Sequence, residues 1–246
     1  MASSIQPGSV TAAMSDRFVI DPPPCPSAAV RGGGRFPVRR TYCVGRNYAE
    51  HAIEMGDSGR EPPFFFMKPA DALLPVEAGA TGEMPYPGLT RNLHHEVELV
   101  VAIGRGGRDL RAADALGHVW GYAVGLDMTR RDLQNDMKKA GRPWSIGKGF
   151  EASAPIGPIV PAAEAPGVHA AAIELRVNGM LRQAGRTDAM IWNVADILAH
   201  LSAAWTLAPG DLVYTGTPEG VAAVVAGDVL EARIDGLEPL RLRIAG

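Results

Sequence analysis

Two glutamates one residue apart are the groups in this sequence best placed to do chemistry. They are Glu96 and Glu98, and the chain continues after them as an apolar run to Ile103. In a β-strand, side chains two residues apart point to the same face and lie roughly 6.5 Å apart. Val100 and Ala102 continue the carboxylate face, so the strand is predicted to be buried on both sides. Two like charges would then share one small, dry space.

A third carboxylate, Asp127, ends another apolar run that covers residues 119–126. If the two strands pair, Asp127 lies beside Glu96 and Glu98. Buried carboxylates need compensation, either by protonation or by a cation. Three carboxylates without a cysteine or a clear histidine ligand favour a hard ion, with Mg²⁺ first and Mn²⁺ or Ca²⁺ possible. His95 is expected to point to the opposite strand face and to pack there.

The elements that must hold these carboxylates are mostly strands. Apolar runs bounded by glycine and proline predict strands over residues 64–67, 96–103 and 120–127 and in several short pieces of 211–244. The pattern indicates an α+β, mainly β domain with peripheral helices. Residues 41–246 are predicted to form the catalytic domain, and residues 1–40, rich in Pro, Gly and Ser, an irregular N-terminal lead-in.

Helices are predicted in three segments. Residues 47–55 would form a short helix with Asn47 as its N-cap. Residues 129–140 have helical spacing, with Leu133 and Met137 on one face. Residues 193–205 carry apolar side chains at three- and four-residue intervals.

The bulk composition excludes several classes of protein. The chain of 246 residues has 24 Lys and Arg against 27 Asp and Glu, so it offers no general positive field for a nucleic-acid backbone. Two cysteines do not make a disulfide framework. Because no leader or membrane-spanning pattern is evident, the sequence predicts a cytoplasmic protein with neither nucleic acid nor membrane as a partner.

Five short motifs follow one another in a characteristic order. They are residues 45–48 (GRNY) with His51, 66–69 (FMKP), 95–98 (HEVE), 126–129 (LDMT) with Arg131, Asp132 and Gln134, and 215–218 (TGTP). In this order they resemble the fumarylacetoacetate hydrolase family, over roughly residues 40–245. The resemblance implies a mixed β-roll of the type found in that family's C-terminal domain. It also implies Mg²⁺ or Mn²⁺ held by Glu96, Glu98 and Asp127, and a homodimer.

Three further segments are most similar to bacterial family members that hydrolyse fumarylpyruvate in gentisate breakdown. They are residues 61–66, 130–134 and 141–144. The expected reaction is therefore metal-dependent cleavage of the carbon–carbon bond of an acylpyruvate, with fumarylpyruvate giving fumarate and pyruvate. The substrate would be a small acidic keto acid.

The resemblance also implies roles for catalytic side chains. His51 and Glu54, three residues apart, would form a dyad in which the carboxylate orients the imidazole that takes a proton from water. Lys148 lies between two glycines in an apolar stretch, which suggests an ammonium that must reach an anion. In the family it would bind the chelated substrate oxygens or stabilise the developing oxyanion.

Other polar residues are candidates for binding the substrate. Lys68 matches the family, with a salt bridge as its alternative role, and Thr217 could bind a carboxylate through its hydroxyl beside a backbone amide freed by Gly216. Arg131 and Gln134 could offer donors to substrate carboxylates. A fumaryl group has a distal carboxylate, so Arg46 or Arg142 is expected near it, with Arg46 taken as the candidate.

Alternative functions use the same carboxylates. These are oxaloacetate decarboxylation, keto–enol tautomerisation and isomerisation of a related dienoic acid, all of which need a stabilised enolate. The His51–Glu54 pair favours hydrolysis over them, because hydrolysis needs an activated water. A non-catalytic keto-acid-binding protein would have no use for a base. A structural acidic cluster without a metal would keep its fold in a chelator.

Overall fold

The computed structural model of the chain describes residues 18–48 and 61–246. Most of the helix predicted over residues 47–55 lies outside these ranges, and so do His51 and Glu54. Within the described ranges, no helix is long and apolar enough to cross a membrane.

An eight-stranded sheet carries the carboxylates. Its strands are β3 (Arg40–Gly45), β4 (Phe64–Lys68), β5 (Leu73–Pro75), β8 (Val97–Ile103), β9 (Val119–Leu126), β11 (Ala154–Ile156), β12 (Val160–Pro161) and β15 (Asp211–Tyr214). Their order is β4-β3-β15-β8-β9-β11-β5, with β12 paired to β9. β8 and β15 are buried at every position, because both faces of the sheet are covered. The continuous apolar runs in the sequence reflect this burial.

A second sheet of five strands packs beside the first. It contains β6 (Gly82–Pro85), β13 (Ala172–Val177), β14 (Met180–Arg186), β17 (Val229–Ile234) and β18 (Leu240–Ala245), in the order β14-β13-β17-β18-β6. Burial alternates along β13 and β18, so one face of this sheet meets the core and the other meets solvent. A small sheet joins β7 (Leu93–His94), β10 (Thr129–Arg130) and β16 (Ala223–Val224). The mainly β fold is confirmed.

The described helices are short and peripheral. They are α1 (Ala112–Ala115), α2 (Arg131–Lys139), α3 (Ser145–Lys148) and α4 (Val194–Ala204). The prediction of α4 is confirmed: the Asn193 side chain accepts a hydrogen bond from the Asp196 amide, and Ile197, Leu198 and Leu201 are buried.

The buried face of α2 differs from the expected one. Arg131 and Gln134 are buried, whereas Leu133 and Met137 are only partly covered. Hydrophobic periodicity missed this face because it assumes that apolar residues point inward. A buried guanidinium is tolerated here, since Arg131 forms an ion pair with Glu96.

The described part of the N-terminal lead-in packs on the main sheet. β1 (Ser27–Ala29) and β2 (Arg35–Pro37) form an antiparallel hairpin. Ala28, Phe36 and Val38 are buried in one cluster with Leu212 and Tyr214 of β15. The predicted domain boundary at residue 40 stays a prediction.

Candidate metal centre and substrate pocket

The pairing of β8 with β9 brings the three carboxylates together. The strands are antiparallel, with Val97 opposite Leu126 and Glu98 opposite Gly125. Glu96 lies just before β8 and Asp127 just after β9, and the Asp127 amide donates to the Glu96 carbonyl at 2.9 Å. One oxygen from each of Glu96, Glu98 and Asp127 lies within 4.8 Å of the others, and all three residues are buried. We call these three residues the carboxylate triad.

Three cations compensate two members of the triad. The Lys148 ammonium donates to Glu96 Oε2 at 2.8 Å, to Asp127 Oδ2 at 2.6 Å and to the Thr129 hydroxyl at 2.8 Å. The Lys68 ammonium lies 2.8 Å from Asp127 Oδ1. The Arg131 guanidinium pairs with Glu96. Burial lowers the pKa of Lys148, but the carboxylates of Asp127 and Glu96 outweigh it, so the pKa is raised overall and the lysine stays charged.

Glu98 is the triad member without a basic partner among residues 18–48 and 61–246. Its Oε2 accepts a hydrogen bond from the Gly216 amide at 2.8 Å. Burial raises the pKa of Glu98 well above its usual range, and the nearby Asp127 and Glu96 carboxylates raise it further. Such a carboxylate favours either a proton or a cation. A buried set of carboxylate oxygens at this spacing fits a divalent, oxygen-preferring ion.

Residues 215–217, which follow β15, form one wall of the centre and run alongside β8. Thr215 donates to the Leu99 carbonyl from both its amide and its hydroxyl, at 3.1 and 2.9 Å. The Thr217 hydroxyl donates to the Val97 carbonyl at 2.8 Å. Gly216 between them has a φ of +96°, and a Cβ there would lie 2.7 Å from Asn47 Cβ. Only glycine therefore fits this step of the wall.

A pocket opens next to the triad. It is lined by Val44, Gly45, Arg46, Phe66, Glu96, Glu98, Asp127, Arg131, Gln134, Trp144, Lys148, Gly216 and Thr217. Phe66 and Trp144 bring aromatic rings to the pocket, with centroids 5.9 Å apart, and the Lys148 ammonium lies 5.1 Å from the Phe66 centroid. The pocket therefore combines charged groups for an acidic ligand with aromatic surface.

Most of the expected substrate-binding residues reach the pocket. Arg131, Gln134 and Thr217 line it. Lys68 lies behind the triad instead: its ammonium is fully buried against Asp127, and it donates to the Met128 carbonyl at 3.1 Å and to the Lys148 carbonyl. The structure therefore places Lys68 in its alternative role, as the salt-bridge partner of a triad member.

The two candidate arginines are in different places. Arg46 lines the pocket, with its guanidinium 5.6 Å from the Phe64 ring centroid. It has a φ of +57°, which is unusual for a residue with a side chain, and such backbone strain is often found at functional sites. Arg142 lines a neighbouring groove with Met67 and Pro143. Position therefore favours Arg46.

Some residues at the centre were missed or interpreted differently from the sequence. Trp144 lines the pocket, and nothing in its local sequence distinguishes it from an aromatic residue of the core. The hydroxyl of Thr129 and the amide of Gln183 join the hydrogen-bond network, and no local pattern identifies either. His95 is fully buried and bonds to Gln183, as expected for a packing residue.

The fold and the site define a known class of protein. The model of the fumarylacetoacetate (FAA) hydrolase C-terminal domain matches residues 40–245. The chain therefore belongs to the fumarylacetoacetate hydrolase family, and the resemblance predicted from the five motifs is confirmed.

Similar proteins differ in their reactions. An oxaloacetate tautomerase, mitochondrial, from Rattus norvegicus is 46% identical over 206 residues, which cover 84% of this chain and 91% of that protein. A fumarylpyruvate hydrolase from Ralstonia sp is 46% identical over 188 residues, covering 76% and 95%. The crystal structure of fumarylpyruvate hydrolase from Pseudomonas aeruginosa in complex with Mn²⁺ and pyruvate is 55% identical, with a TM-score of 0.91 and coverage of 93% of this chain and 99% of that one. Together with the buried triad, this similarity identifies the site as one for Mg²⁺ or Mn²⁺.

Proposed function

We propose that this chain hydrolyses fumarylpyruvate to fumarate and pyruvate, with the triad as the metal ligands. Water adds to the carbonyl carbon of the fumaryl group. The bond from that carbon to the pyruvate methylene breaks, and its electron pair leaves with pyruvate as an enolate. A proton returns to the enolate carbon, and the new carboxylic acid loses a proton to become fumarate.

The charge of the site is the observation that carries the proposal. The three negative charges of the triad are matched by the three positive charges of Lys68, Arg131 and Lys148. A divalent ion leaves this set with a charge of +2. Fumarylpyruvate has two carboxylates, so the loaded centre has the opposite charge to the substrate, and Arg46 adds a further positive charge to the pocket. Such complementarity favours an acidic keto acid over a neutral diketone.

The residues around the metal site have separate roles in the proposed reaction. A bound divalent cation supplies Lewis-acid polarisation of the keto-acid oxygens. Lys148 points its ammonium into the same space and can donate a hydrogen bond to the enolate oxygen as its negative charge grows. Lys68 pairs with Asp127 and Arg131 with Glu96, which fixes the positions of these two carboxylates. The tilted rings of Phe66 and Trp144 would offer apolar surface to the conjugated fumaryl group.

We propose that Arg46 binds the distal carboxylate of the fumaryl group. The expected result for Arg46→Ala is an increase of about 10- to 100-fold in KM for fumarylpyruvate, since a hydrogen bond to a charged group is lost. The KM for acetylpyruvate, which has no distal carboxylate, should change little. Arg142→Ala is the matched control, because Arg142 lines the neighbouring groove. An equal effect of Arg46→Ala on both substrates would contradict the assignment.

The proposed general base is His51, oriented by Glu54. For His51→Ala we expect unchanged Mn²⁺ affinity and a hydrolysis rate lower by roughly 10² to 10⁴, the usual contribution of a general base. Isothermal titration with Mn²⁺ and the steady-state rate measure the two quantities. His200→Ala is the control, since that histidine packs against Trp192. Full turnover by the His51 variant would remove this residue from the mechanism.

Oxaloacetate tautomerisation is a second candidate, and it is favoured by the similarity to the Rattus norvegicus tautomerase. It moves a proton between carbon and oxygen and consumes no water. The test follows the enol absorbance of fumarylpyruvate and, separately, of oxaloacetate, before and after EDTA and after added Mg²⁺ or Mn²⁺. Metal-restored formation of fumarate and pyruvate supports hydrolysis. Turnover of oxaloacetate alone would reject the hydrolase proposal in favour of the tautomerase.

We further propose that the active form is a homodimer, on the family resemblance. Sedimentation equilibrium tests this directly, because a monomer at assay concentration would contradict it.

A further inference from the structure

Gln183 is a buried polar residue at the junction of the two large sheets. It is the inward-facing residue of β14, and 1% of its surface is exposed. Its Oε1 lies 2.9 Å from His95 Nδ1 and accepts from the Val97 amide at 3.1 Å. Its Nε2 donates to the Thr217 hydroxyl and to the Pro218 carbonyl, both at 2.8 Å. The two lone pairs and two N–H groups of the side-chain amide are all used.

The orientation of the Gln183 amide is fixed by its backbone partners. The Val97 amide can only donate, so it must face Oε1, and the Pro218 carbonyl can only accept, so it must face Nε2. Because Oε1 is only an acceptor, His95 Nδ1 carries a proton. Gln183 thus determines the tautomer of the residue that precedes Glu96.

The same network fixes the hydroxyl proton of Thr217. Gln183 Nε2 donates to that oxygen, and the hydroxyl donates in turn to the Val97 carbonyl. Val97, Gln183 and Thr217 therefore form a closed ring of three hydrogen bonds. Thr217 was expected to donate its hydroxyl to a substrate carboxylate, but in this structure the proton is directed at Val97. The hydroxyl can offer a ligand at most a lone pair.

We propose that Gln183 is a positioning residue of the metal centre. It holds the chain on both sides of Glu96 and links that segment to Thr217 by a hydrogen bond. Its bonds to His95 and Val97 flank Glu96, and Val97 separates Glu96 from Glu98. Glu96 lies just before β8, where the Asp127 amide holds its carbonyl at 2.9 Å. Gln183 adds side-chain support to the residues on either side of it. It acts on the geometry of the triad, whichever keto acid the enzyme uses.

The test compares the Mn²⁺ affinities of the Gln183→Met and Thr187→Val variants, measured by titrating the metal-free proteins with Mn²⁺. Methionine has a similar length but cannot make the four bonds. Thr187 follows the same strand and is also buried, but its hydroxyl bonds to the Val168 carbonyl and the Ala171 amide, away from the triad. Both variants should melt at lower temperature. We expect a 10- to 100-fold loss of Mn²⁺ affinity for Gln183→Met, the usual effect of removing support behind metal ligands, and less than about twofold for Thr187→Val.

Two outcomes overturn the proposal. The first is a wild-type Mn²⁺ affinity in Gln183→Met, which would leave Gln183 with a structural role only. The second comes from the ¹⁵N shifts of the His95 ring in the wild-type protein, recorded without metal at a pH well above the ordinary histidine pKa, so it needs no variant to fold. The Nδ1–H tautomer supports the network, and the Nε2–H tautomer overturns it. Neither measurement involves a substrate, so a failure of the Gln183 proposal can be told apart from a failure of the hydrolase proposal.

Discussion

Glu98→Gln is expected to weaken Mn²⁺ binding by about two orders of magnitude or more, because it removes one of three anionic ligands from a hard-cation site. The amide has nearly the same size, and its oxygen can still accept from the Gly216 amide. Isothermal titration of the metal-free protein measures the loss, and turnover should fall with it at limiting Mn²⁺.

The same substitution should raise the melting temperature of the metal-free protein. Burial, with the neighbouring Asp127 and Glu96 carboxylates, raises the folded-state pKa of Glu98, so ionising it costs stability. That cost grows as the pH rises from the unfolded carboxyl pKa towards the folded one, and glutamine avoids it. Glu174→Gln, a surface change on β13, is the control for both measurements. Stoichiometric, tight Mn²⁺ binding by Glu98→Gln would reject the ligand assignment.

Lys148→Met is expected to separate metal binding from catalysis. Its ammonium contacts Glu96, Asp127 and Thr129, and no other described lysine reaches two members of the triad. Loss of this donor should lower kcat by about 10²- to 10³-fold, as found when one preorganised donor to a developing oxyanion is removed. Mn²⁺ affinity should hold or increase, because two carboxylates lose a competing cation.

Stability provides a second readout for Lys148→Met. Removing one partner of a buried ion pair costs about 3–5 kcal/mol when the other charge stays buried. Mn²⁺ compensates that charge, so it should raise the melting temperature of the variant by more than that of the wild-type protein. Lys139→Met, an exposed change at the end of α2, is the control. Loss of Mn²⁺ binding together with turnover would show that Lys148 supports the metal centre rather than the reaction.

The Glu96–Glu98 pair is readable from the sequence because its geometry is local, whereas the place of Asp127 depends on how two strands pair. The alternation of a strand places Glu96 and Glu98 on one side, and the pairing of two apolar runs brings Asp127 to them. Helix α4 is readable for the same reason, since Asn193 and the apolar spacing act within one element.

Features set by distant partners could not be read in this way. Arg131 turns inward on α2 because Glu96, 35 residues earlier in the chain, provides a counter-charge. Gln183 faces the centre only through the register of β14 in another sheet. Lys68 could be either a substrate ligand or an ion-pair partner until the position of its ammonium was known. Burial of polar side chains depends on tertiary contacts that periodicity does not record.

The position of the triad at one end of the β8–β9 ladder has a consequence for refolding. Glu96 and Asp127 lie together only in the native register of these strands, and a slip of one residue would turn Glu98 to the wrong face. Mn²⁺ should therefore bind the native pairing and discriminate against misregistered forms. Because Mn²⁺ binds the native protein and not the unfolded chain, it stabilises the fold by an amount that grows with the Mn²⁺ concentration, to about 2.7 kcal/mol at 100 times Kd.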